Sequence, residues 1–274
     1  MTINCKGKLI DLSTPKVMGI LNLTPDSFYD GGKYKNDNEI LSQVYTMLKH
    51  GAAFIDIGAY SSRPDAKHIN EDEELQRLLP IISLILKEFP EILISIDTFR
   101  SQVAKQGLEA GAALINDISA GKLDEEMLET VAKLKVPYIM MHMKGTPQTM
   151  QQHTNYENLI KEMLFYFSER IARAQALGII DIIIDPGFGF AKTKEQSFEI
   201  LNHLELFKML DKPILSGVSR KSMIYKTLEN SPKEALNGTT VLNTVALQKG
   251  ASILRVHDVK EAVECVKLIE QLKY

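Results

Sequence analysis

Tryptophan is absent from this 274-residue sequence, and cysteine occurs only twice, at Cys5 and Cys265. The two thiols stand at opposite ends of the chain, in neither a C-x-x-C nor another metal-ligand spacing. They read as free thiols of a reducing cytoplasm, against the alternative of a single bridge between the termini. An excess of either charge is also missing. The 32 Lys+Arg and 35 Asp+Glu leave a net charge of −3 and a pI of about 6.1. That balance offers no bulk attraction for nucleic acid or an anionic membrane, so an anionic ligand has to be held by a local site. Long apolar runs are lacking too. The greasiest, residues 81–86, is broken by Ser83 and stopped by Lys87, far short of the ~20 residues that cross a bilayer. Residues 1–12 lack the apolar stretch of a signal peptide. No Pro/Ser-rich linker or charge block divides the chain. The expectation is a soluble, cytoplasmic, single-domain protein over residues 1–274, with no nucleic-acid or membrane partner.

The sequence instead carries a recurring unit. Short apolar, β-branched runs lie at 17–21, 54–57, 92–96, 113–115, 138–141, 180–184, 213–215 and 252–254. Each ends in polar residues and precedes an amphipathic stretch. Near-continuous apolar strands indicate burial on both faces, as in parallel strands joined by crossover helices. Helices are predicted over 39–50 (stopped by Gly51), 73–88 (stopped before Pro90), up to Glu109-Ala-Gly111, and over 124–134, 156–177 and 262–272. About eight strand–helix units in an undivided chain predict an α/β fold, a (β/α)8 TIM barrel. A doubly wound open sheet is the rival, which strand number alone barely separates. Residues 3–10 predict a small hairpin around Gly7 that plugs the barrel floor.

In a barrel, function gathers where strands end at their carboxyl termini. The residues there are Asn22; Ser61, Ser62 and Arg63; Asp97; Asn116-Asp117; His142; Asp185-Pro186-Gly187; Ser219-Arg220-Lys221-Ser222; and Arg255 with His257. Each alone has the ordinary reading of a turn or capping residue. Together they form two chemical groups. Arg63, Lys221, Ser222, Arg255 and His257 suit an anion, and all but Arg63 lie in the loops after strands seven and eight, where barrels commonly bind phosphate. Asp97, Asn116 and Asp185 suit a heterocycle with adjacent N–H donors, because carboxylates accept paired, charge-assisted hydrogen bonds. A metal site is the competing reading, although two Asp without a His-rich cluster argue against a dedicated zinc site. Gly217 and the Gly187-Phe188-Gly189-Phe190 segment allow close approach of a flat ring and supply aromatic faces, with plain loop geometry as the alternative. His142 reads as a core-edge histidine or a ligand. Met140 and Ile118 read as core residues that strand-end positions let reach a ring.

Met18-Gly-Ile-Leu-Asn22-Leu-Thr-Pro-Asp-Ser-Phe28, Ile96-Asp-Thr98, Ile115-Asn-Asp117, Asp185-Pro-Gly-Phe-Gly189, Ser219-Arg-Lys-Ser222 and Arg255-x-His257 resemble the dihydropteroate synthases. The match runs in order from residue 16 to about 260. The resemblance implies a TIM-barrel transferase of folate biosynthesis, usually homodimeric, that uses Mg2+ and is the target of sulfonamides. Such enzymes join 6-hydroxymethyl-7,8-dihydropterin diphosphate to p-aminobenzoate, giving 7,8-dihydropteroate and pyrophosphate. By the same resemblance, Asp97, Asn116, Asp185 and Lys221 hold the pterin ring, with Met140 and Gly217 at its faces. Asn22 is the Mg2+ ligand. Arg255 and His257 grip the diphosphate, helped by Ser62. Arg63, Pro64, Phe28, Phe190 and Ser222 surround p-aminobenzoate. The catalytic set implied is Asp97, Lys221 and Arg255. Where the family often shows Gly-Gly-Glu-Ser-Thr-Arg-Pro-Gly, this sequence has Gly58-Ala-Tyr-Ser-Ser-Arg-Pro-Asp65. A pterin-dependent methyltransferase and a non-catalytic pterin-binding subunit are the alternatives. The Arg255–His257 pair and the Ser-Arg-Lys turn argue against the first.

Overall fold

The structure, a computed structural model, describes residues 1–23, 36–62 and 68–272. A hairpin, β1 (Thr2–Cys5) and β2 (Lys8–Asp11), comes first. Its turn places Lys6 and Gly7 at φ 53° and 80°, the left-handed pair that suits a tight hairpin. The parallel strands are β3 (Lys16–Asn22), β4 (Phe54–Gly58), β5 (Ile94–Asp97), β6 (Leu114–Asp117), β7 (Tyr138–Met141), β8 (Ile182–Asp185), β9 (Leu215–Ser216) and β10 (Ile253–Val256). Pairing runs β8-β7-β6-β5-β4-β3-β10-β9. A parallel bridge between Ile184 and Ile214, with Ile184 N–H donating to the Pro213 carbonyl at 3.0 Å, joins the two ends. The sheet therefore closes into a barrel, and the open-sheet alternative falls.

Around it lie α1 (Asp37–Lys49), α2 (Glu71–Glu88), α3 (Ser101–Glu109), α4 (Met127–Leu134), α5 (Leu159–Ala176), α6 (Lys194–Asn202), α7 (Ser222–Tyr225), α8 (Leu236–Gln248) and α9 (Val259–Glu270). Asn36, Asn70, Asn158 and Thr193 cap α1, α2, α5 and α6 by accepting the N–H three residues on, which satisfies donors that the first helical turn leaves unpaired. The predicted strand at 180–184 begins later than expected. Ile180 is exposed, and pairing starts only at Ile182.

Inward and outward positions alternate along each strand. Met18, Phe54, Leu93, Leu114, Ile139, Ile183, Leu215 and Ile253 share one buried cluster with Ile3, Cys5 and Leu12 of the hairpin segment. These are the inward residues nearest the strand starts, and the hairpin covers them. Asn4 N–H donates to Asp181 at 2.9 Å and Lys6 Nζ to the Gly111 carbonyl at 3.1 Å, tying the hairpin to the barrel floor. Outward residues such as Ile55, Ile96, Ile115, Met140, Ile184 and Leu254 pack in a separate cluster with the helices.

Candidate active site

Two residues beyond each floor position, the inward side chains become Ile20, Asp56, Ser95, Asn116, Met141, Asp185, Gly217 and Arg255. Four residues beyond come Asn22, Gly58, Asp97, Ile118, Ser219 and His257. Parity along the strands thus sends a second and third set of side chains toward the barrel mouth. A cavity there is lined by Asn22, Ser61, Ser62, Asp97, Asn116, Met141, Asp185, Phe190, Gly217, Ser219, Lys221, Arg255 and His257, with Ile20, Tyr60, Ile118 and Arg220.

Arg255 occupies its acidic side. Its Nε donates to Asp56 Oδ2 at 2.6 Å and a terminal nitrogen to Asp97 Oδ2 at 2.7 Å. The Asn116 amide donates to the same Asp56 oxygen at 3.1 Å. Burial raises the Asp97 carboxyl above its usual range, while Arg255 draws it down. Burial opposes the Arg255 charge, but Asp56 and Asp97 outweigh it and hold the guanidinium protonated.

On the opposite side, Asp185 accepts the Gly187 N–H at 2.8 Å, and Lys221 Nζ donates to the Phe188 carbonyl at 2.7 Å. Lys221 also lies 5.0 Å from the centre of the Phe190 ring. Burial lowers the Lys221 ammonium to about 8, with Asp185 pulling the other way. Burial raises Asp185, and Lys221 is the main opposing influence. A Cβ on Gly217 would stand 3.9 Å from Lys221 Nζ and 4.0 Å from Asp185 Oδ2, so glycine leaves the wall between this pair open. His257 Nδ1 meets Ser219 Oγ at 3.0 Å. Burial, then Arg255, lowers its imidazole to about 3.

Other expected residues stand elsewhere. Met140 has the wrong parity: it is fully buried among barrel and helix side chains, and Met141 lines the cavity in its place. Phe188 likewise points into the helical layer, so of the two phenylalanines in this segment Phe190 presents its ring to the cavity. Ser222 begins the four-residue α7 and does not line the cavity. Arg63, with Thr24 to Phe28, Pro64 and Asp65, lies outside the described residues. His142 is a core-edge histidine. Its Nδ1 lies 3.0 Å from Lys192 Nζ, its ring meets Tyr166 edge-on, and burial holds it well below its usual range. Asp117 faces away from the cavity, accepting from Tyr138, Ser119 and Gly121. Arg220 grips Asp258 through two nitrogens at 2.8 Å and donates to the carbonyls of Pro232 and Lys233.

Two residues outside the expected site set carry weight, Asp56 and Tyr60, the second of which stands where the family often has Glu. Asp56 lies inside an apolar run that reads only as strand; a lone acid in a doubly buried strand is the available signal. Tyr60 lines the cavity and packs edge-on against Phe99, with its hydroxyl accepting from the Gln148 amide at 2.7 Å. It thereby links the segment after β4 to the one after β7. Among the described residues, no group of three His, Cys, Asp or Glu is arranged to hold a metal. A larger cavity of about 670 Å³ between α5 and the segments after β6 and β7 carries lysines and glutamates in equal number, Lys144 pairing with Glu162 at 2.8 Å.

The sequence profile of the pterin binding enzymes matches residues 18–257. The dihydropteroate synthase of Escherichia coli is 41% identical over 273 residues, covering 98% of this chain and 96% of the relative. The chain belongs to the dihydropteroate synthase family of pterin-binding enzymes. A crystal structure of the Yersinia pestis dihydropteroate synthase with a sulfonamide drug complex superposes with a TM-score of 0.95 at 39% identity, covering 100% of this chain and 99% of that one. The Xanthomonas albilineans dihydropteroate synthase in complex with 7,8-dihydropteroate gives 0.86 at 31% identity, covering 99% and 98%. A barrel mouth with carboxylates and an amide facing cationic side chains is thus what this chain builds on the dihydropteroate synthase fold. No helix among the described residues is long and apolar enough to cross a membrane.

Proposed function

We propose that residues 1–274 act as one pterin-binding unit that joins 6-hydroxymethyl-7,8-dihydropterin diphosphate to p-aminobenzoate, releasing pyrophosphate and forming 7,8-dihydropteroate. The observation that carries this is one cavity in which Asp97, Asn116 and Asp185 share space with Lys221, Arg255 and His257. A flat ring rich in N–H donors matches the first group, and a diphosphate matches the second. Asn116, Asp185 and Lys221 hold the ring, with Gly217 and Met141 beside it. Phe190, Arg63 and Ser222 serve p-aminobenzoate. Arg255 and His257, with Ser62, receive the diphosphate.

The reaction is a dissociative displacement. The bond from the pterin methylene carbon to the diphosphate oxygen breaks, its electron pair leaving with the diphosphate. The amine of p-aminobenzoate then forms the new C–N bond and gives up a proton. Positive charge spreads into the dihydropterin between these events. The Asp97 carboxylate stabilises it, and Arg255 takes up the charge of the departing group, both being fixed before reaction. No enzyme nucleophile is needed, because the leaving group departs before the amine attacks.

Asn22 and Asp97 flank Gly58 at the mouth, within 3.8 Å of the point its Cβ would occupy. An amide oxygen at the barrel mouth fits Mg2+, which binds by one or two side chains plus substrate phosphates. Asn22 would hold it, and when bound it supplies charge neutralisation for the diphosphate. The protein acts in the cytoplasm, in keeping with two buried free thiols, and as a homodimer like the family it resembles.

The test is pyrophosphate release with both substrates present. Pyrophosphate and dihydropteroate are expected in equal amounts over many turnovers. A methyltransferase or a non-catalytic binding subunit would release none.

A further inference from the structure

Asp56 has no part in that mechanism, yet it touches two of its residues. β4 carries it on the inward face, two positions beyond Phe54 of the floor, and it is fully buried. One oxygen accepts from both Arg255 Nε at 2.6 Å and the Asn116 amide at 3.1 Å, while Oδ1 has no hydrogen-bond partner. It does not line the cavity, so it is walled off from a bound ring.

Arg255 is therefore held at two points of different character. Asp97 grips a terminal nitrogen from within the cavity and keeps about a quarter of its side-chain surface exposed, 23%. Asp56 grips the Nε edge from below, with no exposed surface at all. A ligand entering the mouth can replace the first contact and cannot reach the second. A guanidinium is planar, so fixing the Nε edge fixes the plane and the direction of both terminal nitrogens. Without such an anchor a long arginine side chain has to be ordered anew each time an anion binds.

We propose that Asp56 is a positioning residue for Arg255, anchoring its Nε edge so that the terminal nitrogens exchange Asp97 for the diphosphate of the substrate. This rests on the functional reading above. It adds the requirement that a carboxylate the substrate never touches sets the affinity for the leaving group.

The experiment is a double-mutant cycle with a ligand pair. Asp56→Asn retains an oxygen for the Asn116 amide while removing the charge that holds Arg255. In the wild-type background it should lower kcat/KM about 30-fold, and in an Arg255→Gln background less than about threefold, because its target is gone. Equilibrium binding reads the same claim without turnover. Asp56→Asn should weaken the pterin diphosphate about tenfold or more and leave the 6-hydroxymethyl pterin alcohol within about twofold. Losses of equal size in both backgrounds, or for both ligands, would mean that Asp56 merely supports the barrel, and would overturn the inference in an otherwise active enzyme. Should Asp56→Asn fail to fold, Arg255→Lys examines the contact from the other side, since it keeps a cation but has no Nε edge. Full diphosphate affinity in that variant overturns the anchor. A wild-type protein that releases no pyrophosphate overturns the functional reading, and this inference with it.

Discussion

Asp97 stands between two demands, since it must be ionised to stabilise a pterin cation and buried to do so strongly. Burial raises its carboxyl, and Arg255 opposes the rise. Activity should therefore fall on the acid side at a pH above the ordinary aspartate range, as the carboxylate takes up its proton. Asp97→Asn should reduce kcat about 100-fold or more while changing pterin affinity less than about threefold, checked by turnover against equilibrium binding. Equal losses in both would make Asp97 a plain binding group. Lys221 works in the other direction. Its ammonium, lowered to about 8 by burial, loses its proton as pH rises through that value. The kcat/KM profile should then decline above pH 8, and Lys221→Arg, which stays protonated, should abolish that decline. Of these residues, Asp97, Asn116, Asp185, Lys221, Arg255 and His257 were legible in the sequence because polar residues closing apolar runs mark strand ends. Met141 was not. Choosing it over Met140 needs the parity of β7, and a fully apolar strand conceals parity.

At the scale of elements, the segment between β8 and α6 is pinned from two sides. Lys221 holds the Phe188 carbonyl from the cavity side. From the opposite side, buried Lys192 donates to the carbonyls of Gly187, Phe190 and His142 at 3.0, 2.8 and 3.1 Å, and meets His142 Nδ1. Gly187 is required here, with φ 68° and the His142 carbonyl 2.5 Å from where a Cβ would lie. Lys192→Met should leave these acceptors unpaired, costing roughly 2–3 kcal/mol of unfolding free energy in a denaturant titration, and should weaken p-aminobenzoate binding because Phe190 loses its support. Unchanged stability would show that water replaces the ammonium. Nothing in the sequence distinguished Lys192 from a solvated lysine, because its partners are backbone carbonyls of residues up to 50 positions away.

Across the whole molecule, the floor of the barrel is finished by a segment outside it. Ile3, Cys5 and Leu12 bury their side chains against Met18, Phe54 and Ile253. Deleting residues 1–12 exposes that cluster. At about 1.5–3 kcal/mol for each lost apolar side chain, Tm should fall roughly 10 °C or more in a thermal scan. A shift of a degree or two would mean that the hairpin is dispensable. The thiols report the same packing. Cys5 and Cys265 are buried and free, and burial, then Asp181, pushes the Cys5 thiol up to about 12. Neither should react with a thiol reagent until the protein unfolds.

The sequence by itself determined the repeated strand–helix unit, the strand-end chemistry and the hairpin, because periodicity and turn residues are local properties of the chain. Closure was decided only in three dimensions, by a bridge between Ile184 and Ile214 beside a two-residue strand too short to announce itself. The contact of Arg255 with Asp56 likewise spans 199 positions. Which of two adjacent side chains faces the axis, and which acid meets which base across it, depends on the twist and stagger that bring eight strands around one centre.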